Sequence, residues 1–251
     1  MKFLRVGLCF DTGVLASRKA SRFLTSLDVI VFPELVDGGY AALADGAAPH
    51  RLNDPLISSF QDTSREFPLT SIAGSTFFKH GTSPATNTSL VFNRGKLIHW
   101  YDKVHLFKPM HDDRYFSPGR IMKTFTLRSG SLHLKAGVVI CYDLRFPELI
   151  RKLAKRGMQV LFVPARWPKA RDDAWQTLLR ARAIENQIFV IGCNALGREG
   201  GYSYAFDPLG RIMFSNRGRT HLKKAAFRLD PHRLVEALRL HRNLDDAVLL
   251  K

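Results

Sequence analysis

The sequence predicts an α/β layered domain. Two observations carry that prediction. Ten short apolar runs with strand character recur through the 251 residues. Helical patterns alternate with the early and middle runs rather than collecting at one end. Two sheets covered by helices satisfy such an order, with residues 1–251 read as one domain.

The elements follow in chain order. Residues 3–10 (FLRVGLCF) are apolar apart from Arg5 and read as a first core strand, followed by a helical pattern over 14–27. Residues 29–32 (VIVF) form a second strand that ends at Pro33 and Glu34. A helix over 55–66 starts on Pro55, which suits the first helical position. Strands are expected over 72–78, 89–92 and 96–101, the last two joined as a hairpin at "NRG". The segment 108–120 (KPMHDDRYFSPGR) is the longest irregular polar stretch, a length often reserved for function. A strand over 132–140 leads to a helix over 147–156, with Leu149, Ile150, Leu153 and Ala154 on one face and Gly157 as its stop. A strand over 160–164 precedes a helix over 172–186, which opens on acids and carries Trp175, Leu178, Leu179, Arg182 and Ala183 at helical spacing. Strands over 188–194, 203–207 and 225–229 complete the set, with a second hairpin turning at "DPLG".

Composition narrows the function. Hydrophobic residues make up 45% and charged residues 24%, ordinary values for a globular chain. No apolar run approaches the roughly 18 residues of a membrane span, and the N-terminus lacks the pattern of a signal peptide. The three cysteines, Cys9, Cys141 and Cys193, are widely spaced and form neither a disulfide framework nor a metal-type pair. Reduced thiols in a cytoplasm are expected. The net charge of +16 raises the question of polyanion binding. The basic residues are scattered among apolar positions, without a basic tail or an RNA-binding motif, so nucleic-acid binding is disfavoured against a solvated surface.

Three residues stand out for chemistry. Cys141 sits where the apolar strand of "GVVICYDLRFPE" gives way to a polar turn before a helix, where open α/β sheets place their sites. Cys9 and Cys193 lie inside apolar strands and read as packing. A nucleophilic thiol needs a base and a cation or dipole for the charge that develops. His105 and His111 keep a Cys–His pair open. Glu34, straight after "DVIVFP", is a carboxylate that burial would make a base near neutrality. Lys103, among Trp100, Tyr101, Leu106 and Phe107, suits an oxyanion clamp. All three lie at or just beyond the C-terminal end of a strand-like run.

The blocks "FPELVDGGY", "YDKVHLF" and "GVVICYDLRFPE", followed by "ARWPKARDDAWQTLLRARAIENQIFV" and "GGYSYAFDPLGRI", resemble the carbon–nitrogen hydrolase (nitrilase) superfamily over nearly the whole chain. The resemblance implies a four-layer αββα sandwich, often paired as a homodimer, and a Glu34–Lys103–Cys141 triad. It implies acyl transfer through a thioester, with the oxyanion held by Lys103 and the backbone N–H of Tyr142, and with no metal or organic cofactor. Relatives commonly carry a further glutamate eight or nine residues beyond the lysine. Here His111 and Asp112 occupy those positions, and Asp112 is one methylene shorter.

The blocks look most like the small amidase branch, which cleaves ω-amides of dicarboxylates such as 2-oxoglutaramate or deaminated glutathione. N-carbamoyl compounds and nitriles are the alternatives for the same triad. A substrate carboxylate wants an arginine. Arg166 is the better candidate and Arg145 the second, Arg145 being equally open to an ion pair with Asp143 or Glu148. Tyr40 and Phe107 are expected to line the pocket or pack in the core.

Overall fold

In the computed structural model, which describes residues 3–10, 21–219 and 221–246, the strands form two mixed sheets. The first holds β1 (Leu4–Cys9), β2 (Val29–Val31), β3 (Thr70–Ile72), β4 (Thr76–Phe78), β5 (Thr86–Asn93), β6 (Lys96–Asp102) and β13 (Lys224–Leu229). Here β1, β2 and β3 run parallel, β13 pairs antiparallel with β1, and β5 pairs antiparallel with β3, β4 and β6. The second sheet runs in the order β12 (Ile212–Ser215), β11 (Tyr204–Phe206), β10 (Phe189–Asn194), β9 (Val160–Ala165), β8 (Leu132–Val138), β7 (Phe125–Ser129), with β8, β9 and β10 parallel.

The helices are α1 (Ser21–Thr25), α2 (Gly39–Ala44), α3 (Pro55–Glu66), α4 (Asp112–Tyr115), α5 (Pro147–Lys155), α6 (Asp172–Asn186), α7 (His232–Leu240) and α8 (Asn243–Asp246). Alternation along β2 explains the layering. Val29 and Val31 join the core that contains Ala136 and Val138 of β8. Ile30 and Phe32 join the core of α3, where Phe32 meets Phe60 edge-on at 5.0 Å. On the second sheet α6 packs on β10 and β11 and buries Trp175, Leu179 and Ala183. Both faces of the central strands are therefore covered, and β9 is buried along its whole length, as its unbroken apolar run requires. The result is helix, sheet, sheet, helix.

Several expectations change in detail. The helix expected over 14–27 falls largely on residues 11–20, which lie outside the described residues; α1 is its described part. The strand expected over 72–78 is interrupted between β3 and β4. Gly74 sits there at φ +60°, and a Cβ would lie 1.8 Å from the Pro33 carbonyl oxygen. That close approach lets the Ser75 hydroxyl accept from the Leu35 N–H at 3.0 Å, which shapes the loop around Glu34. The polar stretch 108–120 carries a 3-10 turn (Lys108–Met110) and then α4, separated by His111 in the left-handed region at φ 59°. Strand β7 and helices α2 and α7 were not expected. β7 is short and half polar, α2 begins on the turn-like pair Gly38–Gly39, and α7 has only Leu234 and Ala237 buried.

Candidate active site

The C-terminal ends of β2, β6, β8 and β9 meet, and Glu34, Lys103, Cys141 and Arg166 follow them. Lys103 is fully buried, as are Glu34 and Asp112. Its ammonium donates to Glu34 Oε1 at 2.9 Å and to Asp112 Oδ2 at 2.8 Å. A buried cation is tolerable only when paired in this way. Burial works to lower the Lys103 pKa, but its acidic neighbours, Glu34 foremost, hold it well above the ordinary 10.5. An ammonium has three N–H bonds, and these two partners leave one for another acceptor.

Glu34 is fixed on every side. Oε1 also accepts from Asn87 Nδ2 at 3.0 Å, and Oε2 accepts from the Arg166 backbone N–H at 2.9 Å. The Cys141 thiol donates to the Arg166 backbone carbonyl at 3.8 Å, and the Glu34 carboxylate is near enough to act on its ionisation. Burial pushes that thiol well above its ordinary value of 9.0, the Glu34 charge adds to the effect, and Lys103 offsets only part of it. The resting sulfur is thus a neutral thiol that ionises only as a base removes its proton. Cys141 adopts φ 46°, a left-handed conformation that costs a non-glycine residue on the order of 1–3 kcal/mol.

Asp143 holds that conformation in place. Its buried carboxylate accepts from Ile140 N at 3.1 Å, the Tyr101 hydroxyl at 2.7 Å and His105 N at 2.8 Å. It also meets His105 Nδ1 at 2.8 Å, and the His105 ring stacks on Phe146 at 3.5 Å. Asp143 therefore ties the cysteine turn to the chain just beyond Lys103. From α6, Arg182 donates to the Leu144 carbonyl at 3.1 Å and supports the same turn. The Tyr142 N–H, in the first turn of the 3-10 helix Cys141–Arg145, has no partner among the described residues.

Above the sulfur opens a cavity of about 620 Å³, lined by Tyr40, Phe107, Cys141, Tyr142 and four arginines, Arg145, Arg166, Arg171 and Arg198, among others. Asp112 reaches Lys103 despite its shorter side chain, because α4 carries it inward and its Oδ2 also accepts from Phe107 N at 2.9 Å. Arg166, expected as the leading anchor for substrate, is largely committed to the protein. It donates to the Glu34 and Leu35 carbonyls at 2.9 and 2.8 Å and to Glu199 Oε2 at 3.0 Å. Arg145 makes no ion pair with Asp143 or Glu148; its guanidinium lies 4.8 Å above the Trp167 ring. The Cys–His alternative does not form: His105 turns to Asp143, and His111 is exposed on its left-handed turn. Cys193 is buried and donates to the Val31 carbonyl at 3.6 Å.

Sequence reasoning missed Asn87, Asp143, Arg171, Arg198 and Glu199. Asp143 and Arg171 lie in stretches that were quoted for other reasons. Glu199 comes from the loop after β10 and also accepts from Tyr40 N at 3.3 Å, a contact spanning 159 residues. Gly39 makes room for it, since a Cβ there would lie 2.5 Å from both Arg166 and Glu199.

A thiol beside a carboxylate, with a fully buried ammonium against the same carboxylate, is equipped for nucleophilic attack on an unsaturated carbon bonded to nitrogen. Residues 9–231 match the carbon-nitrogen hydrolase family, to which this chain belongs. Its relatives include the 2-oxoglutaramate amidase of Bacillus subtilis, 37% identical over 195 residues that cover 74% of this chain and 72% of the relative. The deaminated glutathione amidase of Yersinia enterocolitica is 32% identical over 213 residues, 76% of this chain and 72% of the relative. The crystal structure of a Saccharomyces cerevisiae member of branch 10 of the nitrilase superfamily superposes with a TM-score of 0.81 at 25% identity, covering 95% of this chain and 94% of that one.

Proposed function

We propose that this protein is an ω-amidase that hydrolyses the amide of a small carboxylate-bearing substrate through a thioester on Cys141. The observation that carries this reading is the buried Lys103–Glu34 pair beneath the Cys141 thiol at the base of an arginine-lined cavity. The names and identities of the relatives support the substrate class.

In this mechanism the Glu34 carboxylate takes the thiol proton as the sulfur attacks the amide carbon. The oxyanion accepts from the remaining Lys103 N–H and from the Tyr142 N–H. Collapse breaks the C–N bond, and Glu34 returns the proton to the leaving amine. Glu34 then takes a proton from water as its oxygen attacks the thioester; the thiolate leaves and recovers that proton. Asp112 holds Lys103 against Glu34 throughout. Arg145, free of any ion pair among the described residues, receives the substrate carboxylate.

Purified protein is expected to release ammonia from 2-oxoglutaramate and glutaramate, and Cys141→Ala to abolish the release. Ammonia release that survives this substitution would remove the triad. Faster turnover of an N-carbamoyl acid, read as carbon dioxide, or of a nitrile, read as carboxylate product, would transfer the same triad to another substrate. The same reading places one catalytic domain in a cytoplasmic homodimer; sedimentation at micromolar concentration tests the pairing.

A further inference from the structure

One carboxylate, Glu34, must take a proton from sulfur and later give it to nitrogen. Each carboxylate oxygen accepts about two hydrogen bonds, so the proton settles wherever an acceptor position is left open. On Oε1 none is left: Asn87 Nδ2 donates to it at 3.0 Å and Lys103 Nζ at 2.9 Å. Oε2 accepts from the Arg166 backbone N–H alone among the described residues, at 2.9 Å, and keeps one position open. The Cys141 thiol is near enough to feel this carboxylate.

The two donors on Oε1 differ in what else they do. Lys103 is shared with Asp112. The Asn87 side chain makes no other hydrogen bond, since its buried Oδ1 meets no donor among the described residues. Asn87 is fully buried, and an apolar side chain of similar size would avoid an unpaired carbonyl there, so stability alone does not account for an amide at this position. Its location suits a part in the site. Asn87 lies on β5, and its backbone carbonyl accepts from the Lys103 backbone N–H at 2.9 Å. One residue thus fixes the main chain of the cation and, through its side chain, the carboxylate of the base. Being neutral, the amide remains a donor whether Glu34 is ionised or has taken up a proton.

We infer that Asn87 is a positioning residue for the base: by filling the last acceptor position on Glu34 Oε1, it leaves Oε2 as the oxygen that exchanges a proton with Cys141 and then with the leaving nitrogen. This rests on the amidase reading and deepens it. The S–H bond breaks and an Oε2–H bond forms as sulfur bonds to the amide carbon. The same proton leaves Oε2 for nitrogen as the C–N bond breaks. Without the Asn87 N–H, Oε1 offers a second position, turned toward β5 instead of the cavity, from which the proton does not reach nitrogen.

Asn87→Leu, close in volume but without an N–H, tests the inference. It is expected to lower kcat for glutaramate about 10–100-fold, the loss carried by one hydrogen bond to a charged group, with KM changed less than about two-fold. Asn87→Ala serves the same purpose if the leucine does not fit, and thermal unfolding shows whether each variant is folded at the assay temperature. Glu34→Asp supplies a background in which a merely structural role would still show. Its shortened carboxylate no longer reaches Asn87, so adding Asn87→Leu there should cost less than about two-fold more. An equal loss in both backgrounds, or a folded Asn87 variant with unchanged kcat, would overturn the inference. p-Nitrophenyl acetate, an activated ester that acylates a thiol without needing an amide pocket, separates the inference from the reading beneath it. Release of p-nitrophenolate that Asn87→Leu slows in the unsubstituted background alone, in protein that turns over no amide, removes the amidase and keeps the positioning role. Amide turnover that Asn87→Leu leaves unchanged removes the positioning role and keeps the amidase.

Discussion

The floor and the mouth of one cavity treat charge in opposite ways. On the floor, Glu34, Lys103 and Asp112 have no solvent exposure, and Lys103 bridges the two carboxylates. At the mouth, Arg145, Arg171 and Arg198 are exposed and lack carboxylate partners among the described residues. Desolvation explains the difference. An unpaired charge on the floor would cost several kcal/mol, whereas water and salt make an unpaired arginine at the mouth cheap to keep. A paired and buried charge is fixed in direction, which suits bond making. An unpaired one at the rim is ready for a partner that arrives from solution, which suits recognition. Activity should therefore divide along this line, with floor substitutions acting on kcat and mouth substitutions on KM.

The largest expected effect is at the sulfur. Cys141→Ala removes the proposed nucleophile and should lower kcat by at least about 10⁴-fold, since members of such a unit fail together. Lys103→Met comes next. It removes one proposed oxyanion donor, about 10²–10³ in kcat, and leaves two carboxylates buried without their cation, about 3–5 kcal/mol of folding stability. Steady-state rates and urea unfolding measure the two losses separately. If Lys103→Met raises KM alone and leaves stability intact, the floor is not the rigid element described above.

How far this division is legible in the sequence depends on the range of the contact that makes each residue important. Glu34, Lys103 and Cys141 are legible as candidates because each directly follows an apolar run, a local signal. Strands β1, β9 and β10 and helices α3, α5 and α6 are legible for the same reason: period and capping are local. The commitment of Arg166 is not, because its acceptors lie 132 and 131 residues away on the Glu34 loop. Asp143 is visible as a polar residue in the cysteine turn, yet its function as a clamp depends on His105 and Tyr101, 38 and 42 residues earlier. The aromatic seats of Arg145 on Trp167 and of Arg171 on Phe107 belong to the same class. Pattern reading identifies which residues stand at strand ends; it carries no information on which side chains face each other there.

The Asp143 clamp gives a middle-sized effect on the floor side. Asp143→Asn keeps the shape but turns an amide N–H toward at least one of the donors now satisfied. A fall of about ten-fold in kcat with KM unchanged is expected, equivalent to one poorly made buried hydrogen bond. Thermal unfolding of the same variant separates positioning from loss of fold: a lower kcat in protein that is still fully folded at the assay temperature marks positioning. At the mouth, Arg145→Met should raise KM for glutaramate about ten-fold with kcat little changed. A variant that instead loses kcat would place Arg145 with the floor.

The smallest effect is one of pH on stability, and on the floor it comes from Lys103 and Cys141. Lys103 is held well above its ordinary 10.5 and Cys141 well above its ordinary 9.0. In both cases the folded protein keeps a proton that the unfolded chain gives up, so stability must fall as pH rises past the unfolded values. The Cys141 contribution begins to be lost near pH 9 and that of Lys103 nearer 10.5, each continuing until the folded group titrates. Urea midpoints measured from pH 7 to 10 should therefore decline, and the decline should be shallower in Cys141→Ala. Cys193, also raised by burial, contributes a similar slope that remains in that variant. Arg171→Gln, an exposed mouth substitution, should leave the slope as it is. A decline steeper in Cys141→Ala than in the unsubstituted protein would mean that the resting sulfur is already a thiolate, and Glu34 would then have no thiol proton to remove.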